Sequence, residues 1–171
     1  MNLEEVIEAN KKLLSFAREK KWTVIFTRLV FNDDYSDGGL LVQRNPQISE
    51  LGAYRENTQD SEICDCLKPL KNEVVIIKKR YDPYINTNLE QILRSRKIQR
   101  IIISGIATDI CVESTARSSF DRDFETIIVN NAVSTSSKKL HNASLEVLNA
   151  SFGTVVSLTC IIHKSREGMA K

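Results

Sequence analysis

Cys111 stands where the character of the chain changes abruptly. Ile101-Ile102-Ile103-Ser104 is a buried-type apolar run, Gly105 marks a turn, and Val112, Thr115, Ala116, Ser119 and Phe120 then recur on one helical face. A thiol where a helix begins feels unpaired backbone N–H groups and the positive end of the macrodipole. Both favour thiolate over thiol, so the position suits a nucleophile near neutral pH. The competing reading is structural, because a free cysteine is among the most buried residue types and packs as a small hydrophobe.

Other residues with chemical potential are fewer. Cys64, Cys66 and Cys160 complete a set of four cysteines, too sparse for a secreted disulfide scaffold and without paired zinc spacing. In Cys64-Asp65-Cys66 the two side chains would diverge by about 200° on a helix, so free, separately behaving thiols are expected. With only His141 and His163, a histidine-rich metal centre is excluded, and no cofactor is expected. Arg94, Arg96, Lys97 and Arg100 read as cations complementing a helix C-terminus rather than as an anion site.

These residues need elements to position them. Asn2 and Glu5 form a capping box ahead of Val6, Ile7, Asn10, Leu13, Leu14 and Ala17, which predicts a first helix. Trp22 to Phe31 reads as a strand buried on both faces. Asn32 to Asn72 reads as loop with one short helix from Ser61 to Leu67, and a loop of that length suggests a lid or an oligomer contact. Val74 to Ile77 is a short strand, and Thr87 with Glu90 caps a helix carrying Leu89, Ile92 and Leu93. Ile101 to Ser104 is a strand leading to the Cys111 helix, where Glu113 and Arg117 make an i,i+4 pair. Glu125 to Asn130 is a strand, a helix follows with Leu140, Ser144, Val147, Leu148 and Ser151, and Gly153 supplies a left-handed cap. Thr154 to Ile162 is predicted as the last strand and His163 to Lys171 as a polar tail.

Apolar strands alternating with helices argue for a mostly parallel sheet covered on both faces, with ligands beyond the carboxyl ends of the strands. Cys111 and Lys78 both fall at such ends, which suggests that they act together. The 171 residues fit one domain spanning 1–171, and 42% hydrophobic residues with a formal charge of +2 describe an ordinary globular chain, so no nucleic-acid partner is expected. No run has the length of a membrane span, and Glu4, Glu5 and Glu8 stand where a signal peptide would be basic, which points to the cytoplasm.

The segment Gly105-Ile106-Ala107-Thr108-Asp109-Ile110-Cys111-Val112-Glu113-Ser114-Thr115-Ala116-Arg117 with Phe120-Asp121-Arg122 resembles the isochorismatase-like cysteine hydrolases. Lys78-Lys79-Arg80-Tyr81-Asp82 followed by Thr87-Asn88-Leu89 adds to that resemblance, which covers nearly the whole chain. It implies a Rossmann-like three-layer α/β/α fold and hydrolysis of a C–N bond in a small amide, carbamoyl or ureido compound. It implies Cys111 as the nucleophile that forms a thioester and Lys78, not Lys79, as the ammonium supporting the thiolate. It further implies a cis peptide between Ile106 and Ala107, an oxyanion hole from the Ala107 and Cys111 amides, and a homo-oligomer. Tyr84 stands where many relatives line the substrate pocket with Phe.

Two departures qualify the resemblance. Family members begin with a strand ending in an Asp that serves as general base, whereas residue 1 corresponds to the helix after it, so that strand and that Asp are not expected in this sequence. None of Asp33, Asp34 and Asp109 matches the position. The alternative is therefore a catalytically impaired relative, either a pseudoenzyme or a small-molecule binding subunit; a redox-sensing thiol at Cys111 is a further one. Asn32 to Tyr54 holds no histidine, which disfavours the metal-binding nicotinamidase branch. Retention of Cys111 favours amide over isochorismate cleavage.

Overall fold

A computed structural model describes residues 3–166. The Asn2 cap and the end of the polar tail fall outside them. All strand pairs are parallel, and the chain is a mixed α/β protein that forms two compact units, residues 23–92 in one and 3–22 with 93–166 in the other. The expected parallel strand pairing is found in both, as a two-stranded sheet in one unit and a three-stranded sheet in the other. No helix among the described residues is long and apolar enough to cross a membrane.

The discontinuous unit is a sheet between two helical layers. Its strands β3 (Arg100–Ile106), β4 (Glu125–Ser134) and β5 (Thr154–Val156) lie in the order β3-β4-β5. The central β4 carries Ile128, Val129, Ala132 and Val133, all fully buried. Val129 and Ala132 pack with Ala9, Leu13 and Phe16 of helix α1 (Leu3–Glu19) and with Leu158 and Ile161 of helix α7 (Leu158–Arg166). Ile128 and Val133 face the other way, onto Val112, Ala116 of helix α5 (Glu113–Phe120) and Leu148 of helix α6 (Lys138–Ser151). Apolar residues on both faces of one strand are what a parallel sheet covered by helices requires.

The β3–β4 ladder slips midway: Ile103 pairs with Ile128, but Gly105 pairs with Val133. The extra residues of β4 are put to use, since Asn131 Oδ1 accepts the Leu158 N–H at 2.9 Å and Ala132 O accepts from Asn10 Nδ2 at 2.8 Å. The first bond satisfies an orphan donor at the start of α7 and the second pins α1 to the sheet.

Three expectations are corrected here. The run Thr154 to Ile162 is strand only to Val156 and helix afterwards, because Ser157 Oγ and Asn131 Oδ1 cap the helix start and Leu158 and Ile161 bury one face on α1. His163 accordingly belongs to α7 rather than to a tail. Gly153 is not a left-handed cap: the C-cap of α6 is Phe152, and Gly153 does not have positive φ. Glycine is needed there for close approach, since a Cβ would sit 2.4 Å from Thr126 O. Gly153→Ala is therefore expected to destabilise the protein by about 2 kcal/mol, the scale of overpacking against backbone, read as a lowered urea midpoint with an unchanged m-value.

The second unit holds strands β1 (Ile25–Leu29) and β2 (Val74–Lys78), paired in register from Ile25 with Val74 to Leu29 with Lys78. The predicted Trp22 to Phe31 strand is shorter, and Thr27 is exposed, because β1 has a single partner strand among the described residues. Phe31 instead makes an isolated bridge to Arg55 and is fully buried with Leu41 and Val42. Those two residues belong to helix α2 (Gly39–Arg44), followed by α3 (Gln47–Glu50), so the expected long loop is partly helical. Asn45 ends α2 with its side-chain amide on Leu41 O at 2.8 Å, and Pro46 opens α3 with its fixed φ of −58°. The helix expected at Ser61 to Leu67 is two separate 3-10 turns, Gln59–Ser61 and Asp65–Leu67. Helix α4 (Leu89–Ser95) starts as expected, Thr87 Oγ1 accepting the Leu89 N–H at 3.1 Å.

Candidate active site around Cys111

Strand β3 runs two residues further than Ser104 and ends in unusual backbone. Gly105 has φ of +114°, a conformation open to glycine and costly for any L side chain, and the Ile106–Ala107 peptide is cis. The chain then enters not an α-helix but a π-turn, Thr108–Val112, in which the Val112 N–H reaches back five residues to Ala107 O at 3.1 Å. Only from Glu113 does α5 take over. Cys111 thus sits inside this wide turn rather than at an α-helical N-cap. Its thiol is free and partly exposed, and Thr115 Oγ1 donates to its carbonyl at 2.5 Å. The Glu113–Arg117 pair forms at 2.7 Å, and the Arg117 guanidinium lies over the Phe152 ring.

A buried polar group that sequence reasoning missed holds the turn from behind. Thr108, fully buried, places Oγ1 2.9 Å from His141 Nδ1, and Ser144 Oγ donates to Thr108 O at 3.2 Å. His141 and Ser144 lie three residues apart on α6, hence on one face, and both are buried. That i,i+3 spacing of polar residues on an otherwise apolar stripe was the available signal. Asp109 follows Thr108, and its Oδ1 is buried without a hydrogen-bond partner.

Burial pushes the His141 ring below its ordinary value of 6.5, opposed more weakly by the Asp109 charge. In the unfolded chain the ring takes up its proton first, so acidification below about pH 6.5 favours unfolding until the folded-state value is passed. Stability contributed by the neutral ring is therefore present above that pH and lost as pH falls. His141→Asn, which retains a polar atom near the Nδ1 position, is expected to flatten this dependence. Urea midpoints of the two proteins measured from pH 8 to pH 5 should converge on the acid side.

Lys78 and Tyr84 belong to the other unit. Lys78 closes β2 with 3% of its surface exposed, and its ammonium donates to Tyr81 O at 2.5 Å. Strand alternation turns Lys79 away, where Nζ meets Asp37 Oδ2 at 2.6 Å, and Arg80 donates to Asp37 O at 2.9 Å. The two cations clasp the Asp37-Gly38-Gly39 segment. Tyr84 is 8% exposed in the turn before α4, its amide held by Asp82 Oδ1 at 2.8 Å.

One sequence expectation fails outright. Cys64 and Cys66 are not free thiols but are bonded to each other, with Cα atoms 5.4 Å apart. The segment is not the helix that would separate them: Cys64, with φ of −46° and ψ of 131°, precedes a single 3-10 turn. Cys160, like Cys111, is free. Among the described residues no three His, Cys, Asp or Glu side chains gather as a metal site.

Comparison with known proteins gives concordant findings. The family model for the isochorismatase domain matches residues 1–160. The chain is 29% identical over 140 residues to the ureidoacrylate amidohydrolase RutB of Cronobacter turicensis, an alignment covering 74% of this chain and 60% of that relative's length. Among solved structures, a cysteine hydrolase from Pseudomonas syringae pv. phaseolicola superposes with a TM-score of 0.89 at 25% identity, covering 96% of this chain and 81% of the other. An isochorismatase family protein from Desulfovibrio vulgaris gives a TM-score of 0.87, also at 25% identity, over 94% and 84% of the two chains.

Proposed function

Because the chain belongs to the isochorismatase family, we propose that it hydrolyses a C–N bond in a small amide, carbamoyl or ureido compound through Cys111. The observation that carries this reading is a free, partly exposed thiol in a π-turn directly after a parallel strand, the region where open α/β sheets bind ligands. Relatedness to an enzyme named as a ureidoacrylate amidohydrolase supports the substrate class.

In the proposed reaction the Cys111 sulfur attacks the carbonyl carbon and the C–N bond breaks. The nitrogen leaves as an amine or ammonia carrying the proton that the thiol gives up. Water then adds to the thioester, the C–S bond breaks and the thiol is restored. The Ala107 and Cys111 amides are proposed as oxyanion donors, each worth on the order of 3 kcal/mol in such sites. Lys78 is proposed to support the thiolate, an assignment resting on its sequence motif, and Tyr84 to line the pocket. A cytosolic homo-oligomer of two or more subunits belongs to the same proposal.

The test is incubation with a panel of small amides, carbamoyl compounds and ureas, following ammonia release and the intact mass of the protein. Release from at least one compound, with a transient adduct mapped to Cys111, is the expected result. Turnover without any adduct at Cys111, even under rapid acid quench, would overturn the assignment.

A further inference from the structure

The bonded pair Cys64–Cys66 lies outside the chemistry proposed for Cys111. Both residues are exposed, and the 3-10 turn Asp65–Leu67 that follows Cys64 contributes no buried residue. We propose that Cys64–Cys66 is a reversible dithiol–disulfide site that exchanges with low-molecular-weight thiols of the glutathione class.

The turn does not depend on its sulfur–sulfur bond. The Leu67 N–H donates to Cys64 O at 2.8 Å and the Lys68 N–H to Asp65 O at 3.3 Å, so backbone hydrogen bonds close it on their own. The flanks are anchored as well. Ser61 is buried with its hydroxyl on Thr58 O, Glu62 pairs with Arg28 of β1 at 2.5 Å, and the Leu70 N–H donates to Glu73 Oε2. A cross-link across one intervening residue removes little freedom from the unfolded chain, which makes a purely stabilising role a poor account of it. Exposure on an anchored turn leaves each sulfur open to attack while keeping the second one at hand. Proximity gives that second thiol a high effective concentration for resolving a mixed disulfide.

The exchange balances as follows. A glutathione thiolate attacks one cysteine sulfur, the Cys64–Cys66 bond breaks, and the released cysteine takes a proton. A second glutathione attacks the glutathione sulfur of the mixed disulfide, the other cysteine is released as a thiol, and glutathione disulfide departs. Two electrons pass to the protein, and excess glutathione disulfide drives the reverse.

The experiment labels the full chain with N-ethylmaleimide after equilibration in glutathione buffers of graded ratio, followed by peptide mapping, with circular dichroism recorded in parallel. Cys64 and Cys66 are expected to label under reducing buffers and to escape labelling, without a glutathione adduct, under oxidising ones, with an unchanged spectrum throughout. Cys66→Ser should instead keep glutathione on Cys64, because the resolving thiol is gone. The proposal is overturned if Cys64 and Cys66 stay labelled in excess glutathione disulfide, if wild type holds stable glutathione adducts there, or if the bond yields only on denaturation.

Discussion

Cys111→Ala is expected to reduce hydrolysis of whichever panel compound the wild type turns over by roughly 10⁴- to 10⁶-fold in kcat, the loss typical when a covalent nucleophile is deleted. The substitution removes one partly exposed sulfur from a turn whose shape is set elsewhere, by Gly105, by the Val112 to Ala107 bond and by the Thr108–His141 contact. Its urea midpoint should therefore stay within about 1 kcal/mol of wild type in free-energy terms, in line with substitutions outside a packed core. Stopped assays for ammonia and quenched intact-mass spectra check the two sides together. Unchanged turnover would assign the chemistry to another group and leave Cys111 as packing.

Under the proposed assignment of Lys78 to Cys111, Lys78→Met is expected to lower hydrolysis of the same compound by roughly 10- to 10³-fold, the scale on which loss of one charged partner acts. The loss is read as the initial rate of ammonia release at fixed pH. Methionine keeps the unbranched stem in a site where Lys78 is almost wholly buried, so the charge is lost with little change in packing. Lys79→Met is the control, because that ammonium is engaged with Asp37 and its loss should leave the rate in place. Equal rates for wild type and Lys78→Met would show that the ammonium does not serve the reaction.

How far the residues disclosed this architecture depends on where each element takes its instructions. Helices α1, α4 and α6 are legible because local signals agree: apolar spacing at 3.6 residues, Thr87 as the cap of α4, and no interior breaker. Strand β2 was equally plain. Helix α7 was not, because Thr154 to Ile162 is too short and too evenly apolar for periodicity to separate strand from helix. What decides it is Asn131, 27 residues away, capping Leu158. The same limit applies around Cys111. The residue could be singled out from its place after an apolar run, but the π-turn depends on Thr108 meeting a histidine 33 positions later. For Cys64 and Cys66 a helix would part the two side chains, whereas the segment that forms ends in a 3-10 turn and the pair is bonded, a difference of a few backbone angles that reverses the chemistry.

Helix α1 has a consequence for how the protein is made. Its apolar stripe, Val6, Ala9, Leu13 and Phe16, is completed by β4, and Asn10 is fastened to Ala132 across 122 positions. A ribosome adding about 5–20 residues per second needs on the order of ten seconds to travel that distance. Throughout that interval the nascent stripe has no sheet to rest on, while the second unit, encoded in between, can finish first. Newly synthesised chains should thus be prone to early capture by a holding chaperone, and slowing translation ahead of the β4 codons should lengthen that exposure and lower the yield of folded product.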